Sequence, residues 1–179
     1  MGKCRVIAAV RNDEELNYAI ESDVDMIFML APNIEDIRVQ ADAVHSAGKK
    51  LFIHIDLAEG IGKDEYGIRF AKGMGVDGIV STRTNIIKLA RKQGLFTVQR
   101  FFIVDSHSIE TSIEAVKVSK PDMIEIMPGI IIKVVKQFKN QLDLPIIAGG
   151  LIESVQEVQS VIECGATAVS TGKKELWRN

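Results

Sequence analysis

The chain has 179 residues, of which 46% are apolar and 26% charged, and a formal net charge of −2. That length suits one domain spanning 1–179 with room for a substantial core, and the composition is that of a globular protein rather than a disordered or fibrous one. No apolar run approaches the roughly 20 residues of a membrane span, and Met-Gly-Lys-Cys-Arg leads into too short an apolar stretch for a secretory signal. A cytoplasmic protein with no membrane partner is therefore expected. Met-Gly invites myristoylation, but Val6 stands where that motif needs Ser or Thr. Cys4 and Cys164 are too far apart for a metal-binding pair or a disulfide framework, and two buried thiols are expected.

In chain order, short apolar runs fall at 5–10, 25–31, 51–57, 78–81, 95–99, 123–127, 145–149 and 166–170. Segments of helical spacing separate them. Asn12 with Glu15, Asn33 with Asp36, and Ser154 with Glu157 read as helix N-caps with an acidic partner three residues on. Gly48, Gly94 and Gly165 suit helix C-termini, and Pro121 and Pro145 stop helices and lead into strands. Near-continuous apolar strands alternating with helices indicate a parallel sheet covered by helices. Eight such units predict an α/β fold, a small single-domain TIM-like (β/α)8 barrel. An open doubly wound sheet is the alternative, because such barrels typically run to about 250 residues.

The last two strands carry the most chemical information. Pro145-Ile-Ile-Ala-Gly-Gly-Leu151 and Ala168-Val-Ser-Thr-Gly-Lys-Lys174 each read as a strand, a glycine-containing loop and a helix start. Loops after strands seven and eight of such barrels often bind phosphate, where helix N-termini supply free N–H groups and partial positive charge. Gly149, Gly150, Ser170, Thr171, Gly172 and Lys173 are the candidates.

Period-2 alternation then sorts the polar residues. Leu51, Ile53, Ile55 and Leu57 share the face turned to the helices, so His54 and Asp56 point into the barrel. Ile124 and Ile126 face out, which puts Glu125 and Met127 inside. On the fifth strand Phe96 and Val98 are assigned outward, and Thr97 and Gln99 inward. Arg11 ends strand one on the same face as Ala9, and Ser81 ends strand four with Arg83 just beyond. Such buried polar groups need a ligand or mutual pairing, and several strands agreeing marks a site.

Each motif has a plainer reading beside it. His54-x-Asp56 with Glu59 could hold a divalent metal, but with one histidine Asp56 is better read as orienting His54 or receiving ligand hydroxyls. Glu125 could be a general base, a hydroxyl acceptor or a partner of Arg100. Gly73-Met-Gly-Val-Asp-Gly78 lies after a helix and before a strand, the wrong order for a dinucleotide loop. Gly172-Lys-Lys lacks the Ser or Thr of a Walker A loop. Asp105-Ser106-His107 contains triad residue types, yet helix capping explains it better. His45 reads as a surface or rim residue, and Trp177 as packing the tail onto the barrel. No cofactor and no bound metal are expected.

Together these residues resemble the glycerol uptake operon antiterminator regulatory protein family. The resemblance rests on Ala9-Val-Arg-Asn12, His54-Ile-Asp-Leu-Ala-Glu-Gly60, Asp64-Glu-Tyr66, Asp77-Gly-Ile-Val-Ser-Thr82, Gln99-Arg-Phe-Phe102, Glu125-Ile-Met-Pro-Gly129, Ala148-Gly-Gly-Leu-Ile152, Val169-Ser-Thr171 and Lys174-Glu-Leu-Trp177. It spans almost the whole chain and implies a small TIM barrel that binds glycerol 3-phosphate and acts on leader mRNA of glycerol-utilisation genes. Two departures are visible: Glu153 stands where the family usually has Arg, and Gly172-Lys173 replaces Ser-Asn. Both flank the phosphate loops.

On that reading the phosphate lies against Gly149, Gly150, Thr171 and Gly172, with Lys173 or Arg11 adding charge. The hydroxyls reach His54, Asp56, Gln99 or Glu125, and Glu59, Ser81, Arg100 and Ser170 complete the expected ligand set. Residues 83–142 hold ten Lys and Arg against five Asp and Glu, out of 22 and 24 in the chain. With the resemblance, that flank offers Lys88, Arg91, Lys92, Lys117, Lys120, Lys133, Lys136 and Lys139 as RNA contacts, although solvated helix faces explain the charge as well. Two other readings stay open. One is a TIM-barrel enzyme acting on a small phosphorylated metabolite, such as a metal-dependent glycerophosphodiesterase. The other is a metabolite-binding barrel acting through a protein partner.

Overall fold

Eight parallel strands close on themselves in sequence order, each bonded to its neighbours in the chain and β8 to β1. The computed structural model describes residues 5–178; Cys4 and the Met-Gly terminus lie outside them. The units are β1 (Val6–Val10), α1 (Asp13–Ile20), β2 (Met26–Met29), α2 (Ile37–Ser46), β3 (Lys50–His54), α3 (Glu65–Gly73), β4 (Gly78–Ser81), α4 (Thr84–Lys92), β5 (Phe96–Phe102), α5 (Ser106–Ser119), β6 (Met123–Met127), α6 (Ile132–Gln141), β7 (Ile146–Gly149), α7 (Val155–Glu163) and β8 (Ala168–Thr171). The eighth helix is reduced to a 3-10 turn, Lys174–Trp177. Strands of 4–7 residues and helices of 8–14 let eight units fit a chain well short of the usual barrel length.

Of the three N-caps expected from the sequence, two form. Asn12 accepts from Glu15 N at 2.9 Å, while the Glu15 carboxylate takes Arg11 N. Ser154 and Glu157 form a reciprocal capping box, as do Asp105 and Ser108 on α5. Asn33 instead makes a local turn to Glu35 N, and α2 begins only at Ile37, with no side-chain cap. Gly48, Gly94 and Gly165 follow helix ends with positive φ. Cys164 ends α7 and is half-buried rather than fully buried.

Ile7, Phe28, Phe52, Val80, Val98, Met123 and Ile147 fill the lower barrel as an apolar plug. Each such side chain is worth about 1.5–3 kcal/mol when fully buried. Two outer cores lie between sheet and helices, one under β1–β4 with Trp177 and one under β5–β8. Trp177 is fully buried, and its indole N–H donates to Thr171 O at 2.9 Å, which fixes the tail to the C-terminal end of strand eight.

Two placements differ from the pleat reading. On β5, Val98 belongs to the interior plug, so Arg100 points inward and Thr97 and Gln99 point to the helices. Gln99 pairs there with Thr84 on α4 at 3.2 Å and Ser119 on α5 at 2.5 Å, and Thr97 with Asp122. The third strand also stops at His54, and Ile55–Leu57 turn as a 3-10 segment, which carries Asp56 sideways.

Candidate anion-binding site at the barrel mouth

Above the apolar plug the interior becomes polar. Arg100 Nε donates to Glu125 Oε2 at 2.5 Å, and the two residues are register partners on β5 and β6. Ser170 Oγ donates to the other oxygen of the same carboxylate. Glu125 is fully buried and Arg100 only 6% exposed, so the pair is held in a low-dielectric layer. Gly149 makes this convergence possible: a Cβ there would lie 2.7 Å from both Glu125 Oε1 and Ser170 Oγ. With one edge of the guanidinium on Glu125, Arg100 Nη2 is left buried without a hydrogen-bond partner. A buried unpaired donor of this kind is costly, and it marks where a ligand acceptor would be rewarded.

His54 lies in the same layer, almost fully buried, with Nδ1 also unpartnered. Burial lowers its pKa below 6.5, the Arg100 charge lowers it further, and Asp56 and Glu125 oppose that. The imidazole is therefore neutral at pH 7 and can offer one donor and one acceptor.

A cavity of about 380 Å³ opens over this layer, lined by Ala9, Arg11, Leu30, Arg100, Met127, Gly150, Leu151, Ile152, Glu153, Ser170, Thr171, Gly172 and Lys173. Its far wall is the loop after β7, where Gly150 and Leu151 both take positive φ, 74° and 59°. That turns the backbone sharply from the strand end into α7. The hydroxyl pair of β8 is already engaged: Ser170 serves Glu125, and Thr171 Oγ1 donates to Ile152 O at 2.8 Å while accepting from Lys173 N. Thr171 thus stitches the two glycine loops together. Glu157 occupies the N–H groups of Glu153 and Ser154. The positive groups left facing the cavity are Arg11, Arg100 and Lys173, with Glu153 Oε1 3.7 Å from Lys173 Nζ.

Of the residues expected at the site, Arg11, Arg100, Gly150, Ser170, Thr171, Gly172 and Lys173 line this cavity; Glu125, Gly149 and His54 belong to the polar layer described above. Asp56 and Ser81 form a separate cluster: Asp56 accepts from Ser81 Oγ, Thr82 N and Thr82 Oγ1 at 2.8, 2.8 and 3.0 Å, tying down the loop after β4. No hydrogen bond joins it to His54 among the described residues. Glu59 is exposed and turns to Asn33 Nδ2 at 3.3 Å. Gln99 is outside the barrel interior altogether, because its pleat parity is opposite to that of Arg100. Among the described residues no group of three or more His, Cys, Asp or Glu gathers where it could hold a metal. Leu30, Leu151 and Ile152 were not expected in the lining; Leu30 sits just past β2, where its N–H bonds Val10 O at 2.8 Å.

The eight basic candidates all have exposed side chains. Lys88, Arg91 and Lys92 lie on α4, Lys117 on α5 with Lys120 as its C-cap, and Lys133, Lys136 and Lys139 on α6. These helices pack consecutively, so the charges share one flank. Lys117 is partly neutralised by Glu114 at 2.6 Å. His45, in the last turn of α2, bonds Asp77 at 2.8 Å. No helix among the described residues is long and apolar enough to cross a membrane.

Fold and site together define a minimal (β/α)8 barrel whose mouth cavity is lined by Arg11, Arg100 and Lys173. Residues 6–177 match the model of the glycerol-3-phosphate responsive antiterminator family, and the chain belongs to that family of regulatory proteins. The crystal structure of a glycerol uptake operon antiterminator regulatory protein from Listeria monocytogenes superposes with a TM-score of 0.93 at 34% identity, covering 99% of this chain and 96% of that one. An antiterminator-related protein from Thermotoga maritima gives 0.87 at 29% identity, covering 99% of both chains. The uncharacterized protein YgcP of Escherichia coli K12 is 39% identical over 173 residues, 96% of this chain and 91% of its own length. An aldolase, QR15, superposes at 0.78 with 13% identity, a likeness of fold alone.

Proposed function

We infer that the mouth cavity binds glycerol 3-phosphate and that the liganded protein acts as an antiterminator on leader mRNA, without catalysing turnover of its ligand. The observation that carries this reading is Arg100, which lines the cavity beside Arg11 and Lys173 and whose Nη2 donor is buried without a hydrogen-bond partner. A guanidinium fixed by Glu125 meets a phosphate oxygen with little loss of side-chain entropy. The ligand hydroxyls then turn to the neutral His54 ring and the rim. Micromolar affinity needs about −8 kcal/mol, within reach of three charge-assisted contacts in a partly enclosed site. The exposed basic flank of α4, α5 and α6 is the RNA surface in this account, and contacts with phosphates make such binding salt-dependent.

The test is transcription in vitro from a template carrying a leader terminator of a glycerol-utilisation operon. Read-through that rises only when glycerol 3-phosphate and the protein are both present, and that falls when Lys133, Lys136 and Lys139 are changed to Glu, supports the reading. Read-through indifferent to the ligand contradicts it.

A further inference from the structure

Among the residues lining the mouth cavity, Glu153 is the one carboxylate. Its backbone is fixed, because Glu153 N donates to Glu157 Oε2 at 2.7 Å within the capping box that starts α7. From that anchor the side chain reaches Lys173 across the opening, joining the loop after β7 to the loop after β8. Glu125 offsets Arg100 in the same way one layer below, at 2.5 Å. Among the described residues Arg11 has no ion-pair partner.

With Lys173 shared by Glu153, Arg100 by Glu125, and the α7 N-terminus already met by the Glu157 carboxylate, the uncompensated positive charge at the cavity is the one arginine, Arg11. A phosphate monoester carries about −1.5 to −2 at pH 7. One such group already takes up all of that charge. A second anionic group on the same small ligand finds no free cation in a cavity whose lining includes the Glu153 carboxylate.

We propose that Glu153 is a specificity-determining residue that makes this site accept singly phosphorylated polyols and reject ligands bearing a second anionic group. The inference rests on the mouth being a glycerol phosphate site, as argued above. Repulsive placement of one charge is an economical source of discrimination, because the attractive contacts need not change. Glu153 also competes with the ligand for Lys173, so it lowers affinity for every phosphate ester while lowering it most for doubly anionic ones.

The experiment is a calorimetric titration of the full chain and of Glu153→Gln with glycerol 3-phosphate and with 3-phosphoglycerate, which replaces the terminal hydroxymethyl group by a carboxylate. Glu153 is solvent-exposed, so the variant is expected to fold, and an unchanged thermal midpoint checks this. The wild-type protein is expected to prefer glycerol 3-phosphate by at least about tenfold. In Glu153→Gln that preference should shrink by about fivefold, with 3-phosphoglycerate gaining more than glycerol 3-phosphate, and the change should fade as salt is raised. A preference unchanged in Glu153→Gln overturns the proposal while leaving the ligand reading intact. Binding of neither compound by the wild-type protein overturns both.

Discussion

Replacing Arg100 by Met strands the Glu125 carboxylate in the barrel interior, where it is fully buried and keeps only the Ser170 hydroxyl as a partner. Breaking a buried ion pair from one side costs about 3–5 kcal/mol, because the remaining charge loses its compensation. For a chain of this length each kcal/mol lowers Tm by roughly 2–4 °C, so Arg100→Met should melt roughly 10 °C early. The double variant Arg100→Met with Glu125→Gln removes both charges and keeps a neutral acceptor for Ser170. It should recover at least about half of the lost stability, since neutral replacement of a whole buried pair is close to balanced. Urea unfolding of the wild type, both single variants and the double variant at pH 7 gives the coupling energy directly. If Arg100→Met lies within about 1 kcal/mol of wild type, or if the two single changes simply add, Glu125 does not hold Arg100 in the way described.

Acid sensitivity should run through His54. Its folded pKa lies below 6.5, so the unfolded chain takes up the proton first, and the associated stability is present above pH 6.5 and lost as pH falls below it. Thermal melts between pH 7.5 and 5.5 should therefore show a steeper fall for wild type than for His54→Gln; parallel curves would remove His54 as the cause. Gly149→Ala places a methyl group 2.7 Å from Glu125 Oε1 and Ser170 Oγ. It should cost about 1–3 kcal/mol through overpacking and weaken ligand binding by displacing Arg100. Retention of wild-type stability and affinity together would mean that the polar layer has slack that the geometry denies.

The barrel was legible because its strands are short apolar runs between capped helices. The capping boxes of Ser154 and Asp105, the glycines after α2, α4 and α7, and the paired loops after β7 and β8 all follow from local chemistry. The error on β5 has a simple origin. In Phe96-Thr-Val-Gln-Arg-Phe-Phe102 both faces mix apolar and polar residues, so alternation alone does not say which side is inside. Register supplies what periodicity lacks: Arg100 lies directly beside Glu125 in the ladder, and adjacent residues in register point to the same face. An inward Glu125 therefore requires an inward Arg100 and an outward Gln99. The turn at Ile55–Leu57 was hidden for another reason. Leu51, Ile53, Ile55 and Leu57 keep period 2 past the true strand end, although Leu57 is 60% exposed. The role of the Thr171 hydroxyl as a stitch between loops depends on a carbonyl 19 residues away and leaves no trace in local pattern.

The most direct test of the account is calorimetric titration of the protein with glycerol 3-phosphate, run beside glycerol and inorganic phosphate and repeated on Arg100→Met. Micromolar binding of the intact compound, much weaker binding of either half alone, no product formed, and loss of at least about tenfold affinity in Arg100→Met are predicted. Heat of binding absent for glycerol 3-phosphate, or equal affinity in Arg100→Met, would contradict the assignment of this cavity.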